Sequence, residues 1–134
     1  MAKRKNGYYA VVLDDKSSNA LRSLAVHSCV YCHHLTLAFN PLVGDCDDVC
    51  WSRYIGGTLD LHVVGMAKDD RGQAVFVPET TSSNKYPHVT ISCAEGVHPT
   101  YSKKLLERAV EEGKIESLDM RLSGTIRFIP FGGK

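Results

Sequence analysis

The chain has no long apolar run and no surplus of one charge, and each lack removes a class of protein. No stretch nears the ~20 apolar residues that a membrane-spanning helix needs, so no membrane partner is expected. Met1 to Asn6 (MAKRKN) lead into a strand-like segment instead of an apolar signal core, which predicts an unexported, cytoplasmic protein. Sixteen basic residues against fifteen acidic ones give a net charge of +1, far short of the basic surplus that holds long nucleic acid through many phosphates. A small anionic ligand suits this balance better. At 134 residues, with 43% hydrophobic and 23% charged, one domain spanning 1–134 is expected, its basic tail (1–6) flexible and solvated. A chain this long buries roughly two thirds of its unfolded surface, so the five cysteines need not staple it.

What is present alternates between strand and helix patterns. Tyr8 to Leu13 (YYAVVL) reads as a strand, and Leu21, Leu24 and Ala25 recur at helical spacing after the caps Asp15 and Ser17, giving a helix to about Ser28. His34 to Phe39 alternates with period two, with Leu35, Leu37 and Phe39 on one face and His34, Thr36 and Ala38 on the other. Leu42 to Gly57 lacks a period and is expected to be a long loop with at most one helical turn. Thr58 to Ala67 and Gln73 to Pro78 form a hairpin about the turn residues Asp69 to Gly72. His88 to Cys93 repeats the earlier alternation, Tyr101 to Glu112 carries a helical stripe closed by Gly113, and Leu122 to Pro130 reads as the last strand.

The informative feature is a pair of tetrads, His34-Leu35-Thr36-Leu37 and His88-Val89-Thr90-Ile91. Residues i and i+2 of a strand share a face about 6.6 Å apart, so each imidazole has a threonine hydroxyl beside it while the apolar residue between them enters the core. Two such strands side by side would surround one cavity with two imidazoles and two hydroxyls. That set suits phosphodiester cleavage: one neutral His takes a proton from the attacking oxygen, one protonated His gives a proton to the leaving oxygen, and the hydroxyls hold non-bridging oxygens. This chemistry calls for no metal or other cofactor. Chance placement of two tetrads in so short a chain is on the order of one in a few hundred.

With these motifs the sequence resembles the 2H phosphoesterase (LigT-like) superfamily, which is defined by two His-x-Thr/Ser motifs on strands. The resemblance implies a two-lobed, pseudo-symmetric α+β fold with antiparallel sheets lining a central groove and helices outside. It implies that His34 and His88 are the acid/base pair and that Thr36 and Thr90 hold the phosphate. Members open 2′,3′-cyclic phosphates at RNA ends, cleave 2′-5′ linkages, trim oligonucleotide tails or destroy cyclic oligonucleotide signals; the fold does not choose among these. The compact spacing, and the segment PHVTISCAEGVHPTYSKKLL, look most like small phage and viral members. The substrate expected on that basis is a cyclic oligonucleotide immune signal, met in the host cytosol if the protein is viral, with cyclic phosphate ends of RNA or mononucleotides as the alternative. A non-catalytic nucleotide-binding or zinc-clipped module is the alternative of another class.

Base contacts must come from outside the motifs. Trp51 and Tyr54 in the long loop, and Tyr9 or Tyr8 on the first strand, are the candidates, since stacking is worth about 1–3 kcal/mol per base. Cys29, Cys32, Cys46 and Cys50 have spacings near those of a zinc site, but reduced thiols are the expectation. Cys29 to His33 (CVYCH) also spells a haem-attachment pattern, which export would normally accompany. Strand alternation predicts that His33 faces away from His34, and His27, His62 and His98 are expected to be structural or surface residues.

Overall fold

The computed structural model describes residues 3–132. In chain order the elements are β1 (Gly7–Leu13), α1 (Asp15–Arg22), β2 (Cys29–Val30), β3 (His34–Phe39), α2 (Cys46–Ser52), β4 (Thr58–Lys68), β5 (Gly72–Phe76), β6 (His88–Cys93), α3 (Tyr101–Glu111) and β7 (Glu116–Pro130). The first two helices start where side chains can satisfy free backbone N–H groups. Asp14 accepts from the amide of Ser17 at 2.8 Å to open α1, and Asp45 accepts from that of Asp48 at 2.9 Å to open α2. On α3 the spacing of Ser102, Leu105, Leu106 and Ala109 buries one stripe against β5, and Gly113, at φ 68°, lies just beyond the helix's end.

All strand pairings are antiparallel, in the order β6-β3-β1-β7-β4-β5, and β5 pairs again with β6, which closes a six-stranded barrel. The short β2 lies along β6 just ahead of β3. This corrects the two-lobed α+β arrangement with a groove between lobes: one barrel encloses one main core, and the two motif strands are neighbours in its wall. Closure rests on a pairing between β5 and β6 that alternation within either strand does not specify. The interior holds Tyr9, Val11, Leu35, Leu37, Leu61, Val63, Val75, Val89, Ile91 and Leu122. Strands β1 and β7 approach so closely that a Cβ on Gly124 would lie 2.5 Å from the Val12 carbonyl oxygen, so that position has room only for glycine.

Two expectations about the surface also change. Part of the long loop is α2, and the basic tail is tied down from Lys3 onward: Val43 donates to the Lys3 carbonyl, Arg4 bridges to Leu42, and Lys5 donates to the Pro41 carbonyl. Met1 and Ala2 lie outside the described residues. Helix α1 ends at Arg22, six residues before Ser28.

Candidate active site

Both motif strands carry a β-bulge one residue after the threonine. Against β1, Ala38 pairs with Tyr9 and Thr36 with Ala10, leaving Leu37 extra; against β5, Ser92 pairs with Gln73 and Thr90 with Ala74, leaving Ile91 extra. An extra residue re-aims the side chains beyond it. In β3 both Leu37 and Ala38 turn inward, and Phe39 comes out on the face of His34 and Thr36, 62% exposed, instead of joining Leu35 and Leu37. In β6 the bulge sends Ser92 inward, fully buried, where its hydroxyl donates to the Gln73 side-chain carbonyl at 2.7 Å.

Because Leu35 pairs with Val89, the outward residues of β3 and β6 lie beside one another. His34, Thr36, His88 and Thr90 all line a single cavity of about 530 Å³ on the outer face of the barrel. Tyr8 of β1 adds a ring 5.2 Å from that of His34, and Phe39 stacks at 6.2 Å from Tyr8. From the far wall come His98, Thr100 and Lys103 around the start of α3. Asn84 enters because the segment before β6 is pinned to β3: Ser82 donates to the Thr36 carbonyl at 2.7 Å, and the Ser83 amide to that of Leu37 at 2.8 Å.

The two imidazoles have different partners. His88 Nδ1–H donates to the Tyr86 carbonyl at 2.8 Å, which leaves Nε2 as the working nitrogen. Burial lowers the His88 pKa; the Tyr86 carbonyl opposes this, and the Lys103 charge adds to it. Burial also pushes His34 down, to about 4, with positive charge at His33 and His88 adding to the effect. Thr90 shares a 2.8 Å hydrogen bond with Ser102, which is buried on α3. Burial thus favours the neutral form of both imidazoles, with the Tyr86 carbonyl working the other way at His88, and the cavity sets two hydroxyls beside them.

The stacking candidates Trp51, Tyr54 and Tyr9 do not line this cavity. Tyr9 is fully buried and donates to Asp48 at 2.6 Å, and burial together with that carboxylate raises its pKa to about 12. Trp51 packs partly against the core, and Tyr54, though exposed, lies edge-on to Trp51. The aromatic residues that reach the cavity are Tyr8, Tyr31 and Phe39. Of the two β1 tyrosines it is Tyr8, not Tyr9, that stands at the cavity, and Phe39 was masked by the bulge. His98, expected at the surface or in a structural role, lines the cavity too. Cys32 is buried, its thiol directed at the Ile91 carbonyl and removed from haem attachment, while Cys46 and Cys50 are exposed on α2. Among the described residues no group of three or more ligating side chains is placed to hold a metal.

The family model described as the fungal tRNA ligase phosphodiesterase domain matches residues 33–125, a span that contains both motifs. No curated protein matches the chain.

Proposed function

This chain belongs to the fungal tRNA ligase phosphodiesterase domain family, a 2H-type family of cyclic phosphodiesterases, and from that premise we propose that it opens the cyclic phosphate at an RNA end with His34 as base and His88 as acid. The observation that carries the reading is the convergence of all four motif side chains on one cavity. Water attacks phosphorus as His34 Nε2 takes its proton. The bond from phosphorus to one ribose oxygen breaks, and His88 Nε2–H supplies the proton which that oxygen needs. Thr36 and Thr90 donate to the non-bridging oxygens, where charge builds up.

The roles reflect the surroundings. His34 is held low, to about 4, so near neutrality its ring carries no charge and the Nε2 lone pair is available. His88 keeps a carbonyl on Nδ1 that favours its charged form, so it is the better carrier of the proton to be given. Tyr8 and Phe39 offer ring faces beside His34 for the terminal base. The near-neutral chain suits a short RNA end, since few phosphates need be held at once.

The test is turnover of a panel: a 2′,3′-cyclic mononucleotide, a short RNA with a 2′,3′-cyclic phosphate end, and a cyclic dinucleotide. The cyclic phosphate ends are expected to open, and His34→Ala and His88→Ala are each expected to lower kcat/KM by about 10²- to 10⁴-fold with the fold unchanged by circular dichroism. Cleavage of the cyclic dinucleotide alone would overturn the RNA-end reading in favour of cyclic oligonucleotide signals. Full activity in either alanine variant would remove that histidine from the chemistry.

A further inference from the structure

His33 is not where strand parity puts it. Neighbours on a regular strand point to opposite faces, yet His33 and His34 both line the cavity, with ring centroids 5.1 Å apart and planes at 81°. The cause is a break in the chain beside β6: Cys32 adopts φ 52°, in the left-handed region, so β2 stops and β3 starts with a new facing. The His33 carbonyl then accepts from the Leu13 amide at 2.9 Å, which fixes the backbone under both rings. The outcome is a contact that the motif itself does not contain: His33 Nδ1 and His34 Nδ1 are 2.9 Å apart.

We propose that His33 is a positioning residue for His34, accepting a hydrogen bond from His34 Nδ1–H and so presenting the bare His34 Nε2 to the phosphate. The proposal rests on the assignment of His34 as the group that takes the proton from water. Between two ring nitrogens at this distance one must carry the hydrogen and the other the lone pair. If His33 were the donor, His34 would hold its own hydrogen on Nε2 and could accept none there. If His34 is the donor, Nε2 is free, and the same Nδ1–H···Nδ1 bond persists after Nε2 has taken its proton. Only the second arrangement serves both stages of the step. His88 obtains the same service from the Tyr86 carbonyl, so the two imidazoles are oriented alike by different groups. The other titratable groups lining the cavity are Tyr8 from β1, Tyr31 ahead of β3, His88 from β6, and His98 and Lys103 across the cavity; among the described residues the hydrogen bond to the His34 ring comes from His33.

Ring-nitrogen NMR on the whole protein reads the tautomer directly and needs no substrate. At pH 7 the native His34 is expected to show hydrogen on Nδ1 and a bare Nε2, whereas His33→Ala should give a mixture of the two tautomers. His33 is exposed, so this variant is expected to fold; His33→Gln retains an acceptor and should recover part of the native pattern. With a cyclic phosphate substrate, His33→Ala should lower kcat about tenfold or more with KM nearly unchanged, and His33→Gln should lie between. An unchanged His34 tautomer in His33→Ala, or a hydrogen found on Nε2 in the native protein, overturns the proposal. If no cyclic phosphate is turned over, the functional reading fails, while the spectra still decide whether His33 sets the tautomer.

Discussion

The pair of imidazoles carries its asymmetry in single hydrogen bonds, and kinetics should display it. In the free protein the base must be unprotonated and the acid protonated, so kcat/KM should climb as pH rises through about 4, where His34 gives up its proton, and fall as pH rises through the His88 value, which burial holds below 6.5. A bell centred on the acid side of neutrality is expected. A profile flat from pH 4 to 7, or one still rising above 7, would show that these two groups do not perform the transfers. Thr90 allows a finer check, since its hydroxyl is aimed by Ser102 from α3. Ser102→Ala removes one ordinary hydrogen bond, worth about 0.5–1.5 kcal/mol, so kcat/KM should drop roughly two- to tenfold, with a larger loss for Thr90→Val. Equal activity in Ser102→Ala and the parent would mean that Thr90 is aimed by the strand alone.

At the scale of elements, the bulges divide what could be read in the sequence from what could not. His34 to Phe39 and His88 to Cys93 were legible as strands with the observed ends, and the placing of His, Thr and the apolar residue between them comes from period two. Past the threonine the pattern misleads. Leu37-Ala38 and Ile91-Ser92 both face inward because the partner strand skips a residue, and nothing within either strand announces a skip made by its pairing. Period two therefore puts Phe39 and Ser92 on the wrong faces, and the Cys32 turn does the same for His33. Trp51 and Tyr54, read as base contacts, lie off the cavity for a related reason: α2 draws Trp51 toward the core, and Tyr54 lies edge-on to it. The inward turn of Ser92 has its own consequence. Gln73 on β5, fully buried, accepts from Ser92 Oγ and the Val26 amide and donates to the Leu24 carbonyl, tying the chain after α1 to β5 and β6. Gln73→Leu strands these groups, each at a cost of about 1–3 kcal/mol where no water reaches, so the urea midpoint should fall clearly. A midpoint within error of the parent's would show that the Gln73 ties add nothing to stability.

For the molecule as a whole, closing the sheet into a barrel places the site on a wall of paired strands, and the burial that tunes its imidazoles links catalysis to stability. Both His34 and His88 have folded pKa values below their ordinary 6.5, so between that value and the folded one the unfolded chain binds protons that the folded chain refuses. Stability then falls as pH drops from about 6.5, and for His34 the fall continues to about 4. The carboxylates of Asp14 and Asp48, lowered chiefly by hydrogen bonds that they accept, and that of Asp69, where burial is outweighed by such bonds, lose their contribution mostly as pH falls through and below 3.8, so most of the imidazole window lies above theirs. Urea titrations at pH 7, 5.5 and 4.5 should therefore show a midpoint that declines with acid in the parent and declines less in the His34→Gln/His88→Gln double variant, whose amides do not titrate. Parallel slopes would mean that the imidazoles are as well solvated in the fold as outside it and that His34 is not held near 4. If the slopes diverge as expected, the acid range in which kcat/KM peaks is also the range in which the barrel begins to weaken, because one cause, burial of two imidazoles against the same wall, produces both effects.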